Sequence, residues 1–176
     1  MVPEDVVNNA LDVIGHPIRI SGFWDGSYEA LVARDLYMEV RDEVLAAQPW
    51  QFARHFYTLV TDPGTLGPGW THRWVRPANA ITILSVYQTT IDVYQPYPTT
   101  WLEVDYGERL IFTRFAAAQA AVTDRVSDVN RWPPEFTSVV IQGLAQRFAA
   151  LFGGANAAPG NREQRTGRDR APAQDR

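Results

Sequence analysis

The chain has 176 residues, 45% hydrophobic and 12% aromatic, enough for one compact domain with a core and too few for two ordinary ones. It holds no cysteine, which excludes disulfides, thiolate nucleophiles and cysteine-ligated zinc or iron-sulfur centres. All sixteen basic residues are arginine, which excludes lysine Schiff bases, P-loop lysines and lysine general bases, and the formal charge is -4. That charge is uneven: residues 1–152 hold 11 Arg against 17 acids, net -6, and residues 153–176 hold 5 Arg against 3 acids, net +2. An acidic body argues against a surface that grips phosphate backbones. No apolar run approaches the ~20 residues a spanning helix needs, and Met1–Asp5 lacks the basic start of a secretory leader. The expectation is a soluble chain that is not secreted by the usual route.

Residues 4–14 predict a short helix, with Glu4 and Asp5 at the positive end of its dipole, an apolar face at Val7, Ala10, Leu11 and Ile14, and Gly15 as its stop. A second helix is predicted over 27–47, capped by Ser27 and ended by Pro49. Its apolar stripe is Ala33, Leu36, Tyr37, Val40, Val44 and Ala47; Arg34, Asp35, Glu39, Asp42 and Glu43 read as a solvated face or, in a ring, a subunit contact. From about residue 52 to 129 the period becomes strand-like. Phe52–Val60 alternates, Thr61–Gly69 is a loop, and Ile81–Tyr87 and Ile91–Tyr94 are rich in β-branched and aromatic residues. Trp101–Tyr106 and Arg109–Phe115 flank Gly107 as a hairpin, and Gln119–Val129, ambiguous by period, is read as a strand. Pro133-Pro134-Glu135 opens a last helix over 134–152, with Phe136, Val140, Leu144, Phe148 and Leu151 on one face. After Gly154 the only apolar side chain besides proline is alanine, too little to offset ordering entropy, so residues 153–176 are expected to be a flexible C-terminal arm. The fold class expected is α+β: a small bundle of three main helices with a β-rich insertion between the second and the last.

Chemistry-bearing residues are sparse. His16, His55 and His72 are isolated, without metal-ligand spacing. Glu103, Asp105 and Glu108 cluster around the hairpin and are the one candidate carboxylate pair for glycoside cleavage, although Arg109 and Arg114 beside them favour a solvated hairpin face. Gly64, Gly67 and Gly69 lack the strand-to-helix context and the Lys-Ser/Thr of a phosphate loop, and the tryptophans and tyrosines lack interleaved basic residues. No catalytic, cofactor-binding or metal residues are expected, and no cofactor.

Several segments in order carry a resemblance. They are Asn9-Ala10-Leu11-Asp12-Val13-Ile14-Gly15; Ala33 to Leu45 followed by Pro49-Trp50-Gln51-Phe52-Ala53; Trp70-Thr71-His72-Arg73-Trp74-Val75-Arg76-Pro77-Ala78-Asn79; Arg131-Trp132-Pro133-Pro134-Glu135-Phe136; and Leu144-Ala145-Gln146-Arg147-Phe148-Ala149. In order and spacing over about 150 residues the chain resembles the podovirus tail tubular protein A and head-to-tail adaptor family, with Asn79 where that family usually has Asp.

The resemblance implies a structural virion protein of a tailed bacteriophage, assembled in the host cytoplasm and located in the neck. It implies a homo-oligomeric ring of twelve copies between the portal protein and a downstream nozzle or stopper protein, with viral DNA passing through the channel and no membrane partner. Residues 1–152 are then the adaptor domain. Family members that dock through their C-terminal segment imply that Arg162, Arg165, Arg168 and Arg170 belong to a portal-docking arm. The alternatives are a carbohydrate-cleaving tail enzyme and a neck or tail-completion protein of another lineage.

Overall fold

A computed structural model describes residues 1–88, 101–105 and 107–152. Among these residues it is an α+β structure with three α-helices and two small antiparallel sheets between the second and third.

Helix α1 (Pro3–Val13) starts on a proline, which has no N–H to leave unsatisfied, and the Asp5 carboxylate accepts the Val2 N–H at 2.8 Å. Gly15 adopts φ 68°, a left-handed conformation that suits glycine and turns the chain out of the helix. Helix α2 (Tyr28–Ala47) is capped by Ser27, whose Oγ accepts the Ala30 N–H at 3.1 Å. At its other end the Trp50 indole donates to the Val44 carbonyl at 2.7 Å, filling one of the acceptors that every helix C-terminus leaves open. Helix α3 (Pro134–Phe152) packs against both α1 and α2. Its tightest approach is at Gly143, where a Cβ would stand 2.8 Å from Val40 Cγ1.

The helical core is formed by Val6, Val7, Leu11, Val40, Leu45, Phe136, Val140, Leu144 and Phe148, all nearly or fully buried. Two expected core positions move. Leu151 is 53% exposed and Phe152 is buried instead, because the large buried side chains of α3 recur by fours from Phe136, with Ala145 beside them. Ala47 is exposed while Leu45 is buried, and Arg41 joins the buried side of α2, its guanidinium bonded to Asp42 at 2.8 Å and Ser127 Oγ at 3.3 Å.

The segment expected to be one strand over Phe52–Val60 is a short 3-10 turn (Gln51–Ala53) followed by β1 (Arg54–Thr58) and β2 (Val60–Thr61), which enter different sheets. Leu59 makes the crossing, buried and donating its N–H to the Ala118 carbonyl at 2.9 Å. The remaining strands are β3 (His72–Val75), β4 (Ala80–Gln88), β5 (Trp101–Asp105), β6 (Arg109–Thr113) and β7 (Ala118–Asp124). The inner sheet has the order β1-β7-β4 and stands against α2; the outer sheet has the order β2-β3-β6-β5.

The β5–β6 hairpin pairs Asp105 with Arg109 and Trp101 with Thr113 around Gly107 at φ 86°. The strand read over Gln119–Val129 ends at Asp124, before a second 3-10 turn, Val129–Arg131. The strand expected at Ile91–Tyr94 lies outside the described residues, as do Tyr106 and the arm over 153–176. A second apolar core joins the sheets through Leu59, Trp74, Ile83, Val86, Ile111, Phe115 and Val122.

Tyr37 lies in the helical core, 4% exposed, stacked on Trp132, and its hydroxyl has no hydrogen-bond partner among the described residues. Burial pushes its pKa up to about 12, so the hydroxyl stays neutral well above the usual tyrosine range. A buried hydroxyl without a partner carries a desolvation penalty that no bond offsets. Tyr37→Phe is therefore expected to unfold within about 1 kcal/mol of the wild type or at higher denaturant. It should also abolish the loss of stability that the wild type suffers as pH rises from about 10 through about 12, because burial penalises the tyrosinate and phenylalanine has no proton to lose. Urea titrations at neutral and alkaline pH measure both, and a loss above about 2 kcal/mol would show that the hydroxyl is bonded.

Candidate assembly surfaces

Glu103 and Asp105 of the hairpin have different partners. Glu103 Oε1 accepts from Arg76 Nε at 2.5 Å, with the Arg76 side chain 7% exposed. Asp105 accepts the Gly107 N–H at 3.0 Å and lies 3.8 Å from Arg109, and Glu108 is exposed at the turn. Arg76 also donates to the carbonyls of Ala80 and Ile81, so the ion pair fastens strand β5 of the outer sheet to the start of β4 in the inner one. These contacts describe a structural clamp between sheets. No group of three or more acids, histidines or cysteines arranged to hold a metal ion occurs among the described residues.

Each histidine lies against an aromatic ring, His16 and His72 partly buried and His55 exposed. His16 lies between Glu29, 3.8 Å away, and the ring of Phe152, His55 packs on Tyr57, and His72 stacks on Trp74. The glycine loop after β2 is fastened rather than cradling. Asp62 accepts the Gly64 N–H at 2.8 Å and pairs with Arg73, while Arg114 bonds the Gly69 carbonyl at 3.2 Å and lies over the Trp70 ring. On α2, the charged face is partly a seam. Arg147 of α3 sits between Glu39 at 2.9 Å and Glu43 at 2.5 Å, and Arg125 reaches Asp42 at 2.9 Å.

Exposed apolar side chains are scattered over the described surface, among them Val13, Met38, Phe56 and Leu151, and two groups of them bear on assembly. On the helical layer, the Ser21–Ser27 loop presents Trp24, 82% exposed, beside Tyr28 (63%) and Leu31 (53%) at the start of α2. Asp25 fixes that loop. It accepts from Ser27 Oγ at 2.6 Å and from the N–H groups of Ser27 and Ser21 at 2.9 Å each, and the Ser27 bonds hold its pKa down at about 2. Arg34 covers one face of the Trp24 ring at 4.7 Å.

On the outer sheet, Val60 and Val75 are register partners and both exposed. They border a shallow cleft lined by Tyr57, Leu59, Pro77 and Asn79 as well. Neither patch was legible beforehand. The signal for the first was an aromatic residue, Trp24, enclosed by Gly22, Asp25 and Gly26, which is turn chemistry rather than core periodicity.

Charge divides along the same line. Residues 1–47 hold 3 Arg against 9 acids, net -6, while residues 48–152 hold 8 of each, so the whole acidic surplus of the body lies in α1, α2 and their loop. Arg162, Arg165, Arg168 and Arg170 lie outside the described residues. No protein-family model matches the chain, and no curated protein matches it significantly.

Proposed function

We propose that the chain is a structural protein of a tailed-bacteriophage neck, a head-to-tail adaptor that joins the portal to the next tail component as a homo-oligomeric ring around the DNA path. The observation that carries this reading is the pair of dissimilar exposed apolar patches, Trp24–Tyr28–Leu31 on the helical layer and Val60–Val75 on the outer sheet. A cyclic ring requires a heterologous interface, in which one patch of a subunit meets a different patch of its neighbour. The ordered resemblance of Asn9–Gly15, Trp70–Asn79 and Arg131–Phe136 to adaptor segments supplies the biological context. The acidic surplus of residues 1–47 also suits a wall that DNA slides past, because it offers phosphates nothing to hold.

Both patches are small, so the free protein is expected to be monomeric or weakly associated and to close a ring only on a portal template. Light scattering at micromolar concentration checks the first part and negative-stain imaging with portal the second. A stable twelve-subunit ring without portal would contradict the templating, and the absence of any ring or complex with portal would contradict the reading itself.

A further inference from the structure

The aromatic patch on the helical layer is a surface with an identifiable occupant. Trp24 remains 82% exposed with Arg34 on one face, so its other face is open, and Tyr28 beside it is 63% exposed. The loop that presents Trp24 is fixed by the Asp25 bonds to Ser21 and Ser27. The segment around it is acidic: Asp12, Asp25, Glu29 and Asp35 accompany only Arg19 and Arg34 between residues 12 and 35. Open aromatic faces in an acidic setting attract arginine, whose planar cation stacks on the ring while neighbouring carboxylates complement its charge. The same setting repels nucleic acid.

The source of the arginine follows from where the chain leaves α3. Phe152, the last described residue, lies against Tyr28, with ring centroids 6.1 Å apart, so α3 ends at the margin of the patch. Residues 153–176 carry five arginines against three acids, the opposite sign to residues 1–47. Arg162 is ten residues beyond Phe152, within about 33 Å of extended chain. Attachment at that point gives the segment a high effective concentration at the patch, which no separate basic partner has.

We propose that residues 153–176 of the same chain seat one or more of Arg162, Arg165, Arg168 and Arg170 on the Trp24–Tyr28 patch. The inference does not rest on the ring reading, since it concerns the isolated chain.

The test uses the full chain with Arg162→Gln, Arg165→Gln, Arg168→Gln and Arg170→Gln combined. Its readout is the indole N–H resonances of the six tryptophans, with Trp24→Phe identifying the Trp24 signal. The replacements are expected to shift the Trp24 resonance and leave those of Trp50, Trp74 and Trp132 in place. Raising the salt from about 0.05 to 0.5 M should move the wild-type Trp24 signal toward the variant position. A Trp24 resonance indifferent to the four replacements overturns the proposal. A shift that disappears on dilution also overturns it and assigns the arginines to a neighbouring copy. Because no portal is present in either arm, failure here leaves the adaptor reading to its own test.

Discussion

Replacing Phe136 with alanine is expected to lower the unfolding free energy by about 3–5 kcal/mol, the range for emptying an aromatic site in a packed core. Phe136 is fully buried and meets three rings, those of Trp50, Phe52 and Trp132, at centroid distances of 5.0, 5.0 and 4.8 Å. Two of those rings are pinned elsewhere. The Trp50 indole is bonded to the Val44 carbonyl, and the Trp132 indole to Val126 at 2.9 Å. The neighbours therefore cannot collapse into the vacated volume without breaking buried hydrogen bonds, which places the loss toward the upper end of the range. A domain of this size commonly has only about 5–15 kcal/mol of stability in total. The melting temperature should fall by roughly 6–20 °C. A fall corresponding to less than about 1 kcal/mol would show that this cluster does not organise the helical core.

The second large effect is expected at Arg76. Arg76→Met keeps most of the side-chain stem but leaves the Ala80 and Ile81 carbonyls without their donor and Glu103 without its counter-charge, a loss of about 3 kcal/mol. Glu103→Gln, by contrast, retains an acceptor for Arg76, and the carboxylate is 35% exposed, so about 1 kcal/mol is expected there. The ordering separates two roles for the guanidinium. If its bonds to the β4 carbonyls dominate, the arginine replacement is much the worse, whereas equal losses in urea titrations of the two variants would reduce the clamp to a surface ion pair. Glu103→Gln is also a probe for the glycosidase alternative, since a catalytic carboxyl would lose activity against glycans on that change.

The helices were legible because their ends carry chemistry as well as period. Ser27 caps α2, Gly15 turns the chain out after α1, and Pro134 opens α3, each where its local preference and the tertiary structure agree. The small displacements have a common cause. A face of apolar residues fixes the stripe only to within one neighbour, and packing chose Phe152 over Leu151 and Leu45 over Ala47. Alternation over Phe52–Val60 marked extended chain, but period alone carries no information about which sheet a strand joins. The transfer at Leu59 depends on pairing with β7, more than fifty residues later. The candidate site was less legible still. The hairpin acids stand out in the sequence, but Arg76, the partner of Glu103, lies 27 positions before it, and Trp24, an isolated turn aromatic, has no periodic signature.

The central position of α3 also dictates an order of events during synthesis. Helices α1 and α2 emerge first, yet both bury their apolar faces against an element that begins at residue 134, and the N-terminal ammonium itself bonds Asn130 at 3.2 Å. At about 5–20 residues per second, the 86 residues between α2 and α3 take roughly 4–17 s to appear. Throughout that interval the ribosome-bound chain displays Val6, Val7, Leu11, Val40 and Leu45 without their native cover. The helical half therefore cannot close until α3 has emerged, and until then its apolar faces are open to mispairing in the nascent chain.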